Sequence, residues 1–173
     1  TNDTLTNDNF EISNFSAGIY SIFVTDSEGC FYDTIIQLTE PNEIVLSFDN
    51  VENSSCLNSD DGSINVTSTG GIGGLTTSWF ENGSSIVLNS FTASSLSPGV
   101  YSLFATDANF CTSESIDTVI TQPSLLTLSI DSISNPLCFG VSDGYISVSS
   151  IGGTTPYSYS WFGDTNVVGS NFI

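Results

Sequence analysis

Apolar and polar residues alternate with a period of two along most of this chain, the mark of strands that bury one face. Ile44, Leu46 and Phe48 share one side of a predicted strand from Ile44 to Val51, and Leu126, Leu128 and Ile130 repeat the pattern within Leu125 to Ile133. A polar loop, Asn53 to Gly62, comes next. In Ser63 to Thr67, Ile64 and Val66 then face inward and Ser63, Asn65 and Thr67 outward, with Ile146 and Val148 in the same places further on. Gly70-Gly71 and Gly152-Gly153 break the sheet, and a third strand carries Trp79, or Trp161 in its copy. Asn82-Gly83 predicts a type I′ hairpin, because both residues tolerate positive φ. Further strands are predicted at Ile86–Asn89, Phe91–Ser94, Val100–Thr106 and Cys111–Thr121, with Tyr101, Leu103 and Ala105 inward. Phe104 and Phe23 have the opposite parity, so they face outward or lie beneath a loop.

The pattern recurs at a fixed spacing. Tyr20 to Tyr101, Asp26 to Asp107 and Cys30 to Cys111 are steps of 81 residues. Pro41 to Pro123, Cys56 to Cys138, Gly62 to Gly144, Gly71 to Gly153 and Trp79 to Trp161 are steps of 82. A period this long gives each unit its own small core, so a string of separate domains is expected rather than a stacked solenoid. Residues 1–41 hold the back half of one unit, 42–123 a complete unit and 124–173 the front half of the next. Half-sandwiches expose inner faces and strand edges. The sequence is therefore expected to be a window on a longer polypeptide, or to have its halves completed by neighbouring copies.

The expected fold is all-β: tandem immunoglobulin-like, PKD-like sandwiches with about seven strands per repeat of 81–82 residues. Trp79 or Trp161 would fill the core, and Tyr20 or Tyr101, just after an Ala-Gly or Pro-Gly turn, resembles a tyrosine corner. Pro41 and Pro123 mark the joints, since proline ends a ladder and stiffens a short linker.

Composition changes what the fold can rely on. Lys, Arg, His and Met are absent against 19 Asp and Glu, a net charge of −19. Without cations the side chains form no internal salt bridges, so apolar burial, backbone hydrogen bonds and neutral polar groups must hold the fold. Nucleic acid is excluded as a partner because nothing is available to meet phosphate. At 39% apolar and 12% aromatic residues the chain can bury a core in each unit. No apolar run reaches the roughly 20 residues of a membrane-spanning helix, so membrane insertion is not expected.

The combination Cys56, Asp61-Gly62-Ser63-Ile64, Gly70-Gly71, Ser78-Trp79, Leu96-Ser97-Pro98-Gly99-Val100-Tyr101, Thr106-Asp107, Cys111 and Gln122-Pro123 is similar to the SprB-type repeat of giant Bacteroidota surface adhesins. More loosely it resembles PKD-like sandwiches. The likeness covers one full repeat and two halves. It departs at Gly74-Leu75, where the second copy keeps Pro156-Tyr157, and at Phe110, which stands where Gly29 does. The resemblance implies an extracellular, filamentous cell-surface protein, exported by the type IX route and associated with gliding and adhesion. It brings no enzyme activity and no residue-level binding site. By the same resemblance, Thr4, Thr34, Thr118 and Ser132 are candidate O-glycosylation sites in Asp-Thr or Asp-Ser steps before an aliphatic residue. Ordinary strand chemistry, hydroxyl outward and aliphatic inward, accounts for the same triplets.

Other candidate chemistry is sparse. Asp60, Asp61 and Asp143 lie in turns that could hold calcium at domain joints, but such residues also bond their own backbone and no EF-hand spacing is present. No other cofactor is implied. Asp26-Ser27-Glu28 is a third acidic turn. Paired carboxylates do not recur, and a nucleophile has no His, Lys or Arg to activate it, so no enzyme is expected. Cys30, Cys56, Cys111 and Cys138 have no His or CxxC beside them, which leaves disulfides or buried free thiols. Cys56 to Cys111 is the simplest pairing within a unit, but an immunoglobulin topology puts them at opposite ends of the sandwich, which disfavours it without deciding the connectivity. A link from the bottom of one unit to the top of the next stays open. Expected partners are neighbouring repeats, with surface polysaccharide or identical subunits as further ones. A glycan-binding module would cluster outward aromatics such as Phe23, Phe80 and Phe104 on one surface; a spacer would bury them.

Overall fold

Glu43 begins a sandwich whose two sheets close on one apolar core. The computed structural model describes residues 13–88, 90–162 and the backbone of 167–172. Two compact units divide between Asn42 and Glu43. The first contains β1 (Gly18–Thr25) and β2 (Phe31–Leu38), an antiparallel hairpin. The second contains β3 (Val45–Glu52), β4 (Gly62–Thr69), β5 (Thr76–Glu81), β6 (Ser84–Ile86), β7 (Thr92–Leu96), β8 (Gly99–Thr106) and β9 (Ile116–Ile120). β10 (Thr127–Ser134), β11 (Tyr145–Ile151), β12 (Ser158–Phe162) and β13 (Val167–Phe172) follow. No helix occurs among the described residues.

Residues 43–123 form a three-stranded sheet, β3-β4-β7, and a four-stranded sheet, β6-β5-β8-β9, all neighbours antiparallel. Ile44, Leu46, Ile64, Val66, Ala93 and Leu96 from the first meet Trp79, Tyr101, Leu103, Ala105 and Ile120 from the second in one buried cluster. Each fully buried Ile or Leu contributes about 1.5–3 kcal/mol, so this cluster is the main source of stability. The alternation in Ser63–Thr67 and Val100–Thr106 is realised as predicted, with Ile64, Val66, Tyr101, Leu103 and Ala105 inward. Asn82 (φ 48°) and Gly83 (φ 81°) form the predicted I′ turn between paired Glu81 and Ser84.

Several predicted strands differ from those observed. In β3 the register slips between Phe48 and Asn50, leaving Asp49 as an extra residue. The bulge turns Val51, rather than Asn50, toward the core. The same slip recurs in β10 at Asp131. The fourth strand is Ser84–Ile86 rather than Ile86–Asn89, of which Asn89 lies outside the described residues. The fifth is Thr92–Leu96 rather than Phe91–Ser94. The last strand begins at Ile116 instead of Cys111. The Ser113 hydroxyl accepts from Ala105 N (3.0 Å) and takes a backbone ladder position.

The flanking segments are open. Ile22, Val24, Ile35 and Ile36 are exposed on the β1–β2 hairpin, a form that is marginal alone in water. β10–β11 and β12–β13 pair as two separate antiparallel hairpins and leave Leu128, Ile130, Ile133 and Ile146 exposed.

Candidate functional site

The most elaborate polar arrangement in the complete repeat is a turn built on Asp107. Buried at the end of β8, Asp107 accepts from Asn109 N (2.8 Å) and Cys111 N (2.9 Å) on Oδ1, and from Ile72 N (3.0 Å) on Oδ2. Ala108 N donates to Ile72 O (3.1 Å), so the turn is bolted to the loop after β4. Asp26 repeats the turn, accepting from Glu28 N (2.9 Å) and Cys30 N (2.8 Å). Burial pushes the Asp107 carboxyl up, but the donors from Ile72, Cys111 and Asn109 outweigh it and hold it below its ordinary 3.8. A depressed carboxylate stabilises the fold above the ordinary value and loses that contribution as pH falls through the folded one. Thermal midpoints of the native chain are therefore expected to drop as pH falls below 3.8, and those of Asp107→Asn to be lower at neutral pH with a flatter acid limb.

Tyr101 ties the start of β8 to the turn before it. Its hydroxyl donates to Ser97 O (2.9 Å) and lies 3.1 Å from Glu81 Oε1; burial, and then the Glu81 carboxylate, push the phenol up. Tyr20 makes the matching bond to Ser16 O (2.7 Å). Trp79 is buried and donates from Nε1 to Ser90 O (2.8 Å), whereas Trp161 is half-buried beside an open cavity.

The acidic turns bond their own backbone. Asp61 accepts from Ser55 N (3.0 Å) and from the Ser55 hydroxyl, and Asp143 accepts from Leu137 N (3.1 Å), one repeat on. The Ser55 hydroxyl, then Ser55 N, lower the Asp61 pKa. Asp60 is exposed. Among the described residues no three His, Cys, Asp or Glu gather where a metal could bind.

Cys30, Cys56, Cys111 and Cys138 are all free and exposed. Cys111 lies at the leading end of the complete sandwich, beside the start of β3, and Cys56 at the trailing end, where Asn58 N reaches Gln122 Oε1 (2.6 Å). Of the hydroxyls singled out, Thr34 is exposed on β2 and Ser132 is half-buried on β10. Thr118 lies opposite inward-facing Tyr101, so it stands on the core side while Val119 points out, the reverse of the expected parity. Thr4 lies outside the described residues.

On the outer face of the four-stranded sheet, Phe80 and Phe104 stack with ring centroids 6.0 Å apart and planes at 25°, and each is half-buried. Sequence reading missed three contributions. These are the Asp107 bolt, the clasp of Asn53 Oδ1 on Thr121 N (2.8 Å), and the role of Gln122. The spacing of Asp26 and Asp107, each four residues before a Cys, was the available signal.

One closed sandwich, with the same bulge, turn and corner recurring on either side of it in sequence, defines an all-β tandem-repeat protein. The SprB repeat family model matches it twice, over residues 49–79 and 130–166. Both matches begin at or beside the bulge and reach the Trp strand, so the front part of each of these two repeat units is similar to the SprB repeat. No match is found among curated proteins or among solved structures.

Proposed function

We propose that the chain is a structural spacer segment of a long extracellular bacterial surface protein of the adhesion and gliding type, exported by the type IX route. The observation that carries the reading is the pair of SprB repeat matches one period apart. A second reading, a glycan-binding module, is favoured by Phe80 and Phe104, which lie together on the outer face of the four-stranded sheet. Asp61, Asp107, Tyr101, Asn53 and Gln122 are occupied in holding turns, corner and linker, as a spacer requires. No helix among the described residues is long and apolar enough to cross a membrane. The test is antibody against residues 43–123 applied to intact, unpermeabilised cells of the source organism. Labelling of intact cells is expected, and labelling only after lysis overturns the reading.

A further inference from the structure

The two outer faces of the complete repeat are unlike. On the three-stranded sheet, Ser63, Asn65 and Thr67 of β4 stand opposite Glu52, Asn50 and Ser47 of β3. The aromatic residue on its strands, Phe48, packs against the core instead. On the four-stranded sheet, Phe80 and Phe104 are diagonal neighbours on the outside, since Phe80 pairs with Ser102 and Phe104 with Ser78. Exposed Asp117 on β9 pairs with Ser102, so Phe80, Ser102 and Asp117 form one row across three strands. Val100 and Val119, paired and 46% and 51% exposed, extend the apolar strip toward the trailing end.

The combination recurs with the repeat. On β1, Ile19, Ser21 and Phe23 hold the places of Val100, Ser102 and Phe104, and Asp33 on β2 pairs with Phe23. On β12, Ser160 and Phe162 hold the places of Ser78 and Phe80. Phenyl and hydroxyl groups thus alternate on the same strands once every 81–82 residues, with a carboxylate on the neighbouring strand in β2 and β9.

A pyranose ring has an apolar face of C–H groups and a rim of hydroxyls. A phenyl face carries the negative part of its quadrupole and receives such C–H groups. A Ser hydroxyl both donates and accepts, and a carboxylate accepts from hydroxyls in charge-assisted bonds. The charge of the chain then selects the partner. With no Lys, Arg or His against 19 Asp and Glu, it repels anionic polymers and second copies of itself alike. A cationic partner is drawn instead to acidic turns such as Asp60-Asp61, because Asp117 is the single outward carboxylate among the strand residues of the aromatic face.

We propose that the outer face of β5, β8 and β9 is a binding subsite for a neutral polysaccharide, with Phe80 and Phe104 against the sugar rings and Ser102 and Asp117 bonded to their hydroxyls. The proposal rests on the glycan-binding reading and narrows it to an uncharged polymer. A polymer is the fitting occupant because an open sheet face holds a short sugar weakly, whereas the recurrence makes the second contact of a long chain intramolecular. The strip also follows β5 and β8 along the repeat from one end to the other, as an extended chain requires.

The experiment is affinity electrophoresis of the intact chain through native gels containing hydroxyethyl cellulose, galactomannan, dextran or the anionic carboxymethyl cellulose. Retardation by a neutral polymer and none by carboxymethyl cellulose is expected. Phe104→Ala should weaken the retardation by about tenfold or more. Asp117→Ala, at an exposed position, should weaken it severalfold with the thermal midpoint unchanged, which separates lost binding from lost folding. Retardation by carboxymethyl cellulose equal to that by the neutral polymers, or retardation unchanged in both variants, overturns the proposal and leaves the glycan-binding reading standing. No retardation by any of the four polymers overturns both. Surface labelling of intact cells tests the spacer reading independently of either.

Discussion

Replacing Trp79 by alanine is expected to lower the unfolding free energy of the complete repeat by about 3–5 kcal/mol. Trp79 is 1% exposed and the largest side chain in the cluster that joins the sheets, so truncation leaves a cavity between β5 and β4 that the paired backbones cannot collapse. It also removes the 2.8 Å bond from Nε1 to Ser90 O, leaving that carbonyl only the longer contact from the Thr77 hydroxyl (3.4 Å). A domain of this size has about 5–15 kcal/mol in total, so the variant is close to unfolding. Urea denaturation followed by circular dichroism reads the change as a lower midpoint with an unchanged slope. Trp161→Ala provides the contrast. Half-buried, it should cost far less.

The second large effect comes from adding one carbon atom. Gly62→Ala places a methyl 2.7 Å from Ile120 Cγ2, 3.0 Å from Leu96 O and 3.3 Å from Glu52 O. Two of these neighbours are backbone atoms of the flanking strands, which cannot move without breaking their ladders. Overpacking of this kind costs about 1–3 kcal/mol. The cost is steric and not conformational, because Gly62 is not among the positive-φ glycines. A lower thermal midpoint is expected, and a midpoint equal to that of the native chain would show that β9 can slide away from β4.

Sequence alone placed the elements whose burial follows parity. Ile64 and Val66, Tyr101 and Leu103, the Asn82-Gly83 turn and the buried Trp79 were all legible, because one face of each strand meets an apolar layer and the turn needs two positive φ values. The failures occur where a side chain or an extra residue replaces regular pairing. Asp49 shifts the parity of β3, and only the step from Phe48 to Val51 hinted at it. Ser113 takes a backbone's place opposite Ala105 and shortens β9. Thr118 faces the core because register is set by the Gly99↔Ile120 pairing and not by local alternation. The candidate site was less legible. Asp107 looked like a turn residue until Ile72, distant in sequence, supplied the third donor.

The linker clasp fixes how the repeat carries tension. The chain enters β3 at the leading end and leaves β9 at the trailing end, with the two strands running the same way. Ser54 N donates to Thr121 O (3.0 Å), Thr121 N to Asn53 Oδ1 (2.8 Å) and Asn58 N to Gln122 Oε1 (2.6 Å), all just beyond those strands. A pull on the two ends drags β3 and β9 past each other along their length, so these bonds bear load together and are sheared instead of being peeled open one at a time. Extension of the repeat therefore requires a collective rupture, and below that threshold the unit transmits force as a stiff link.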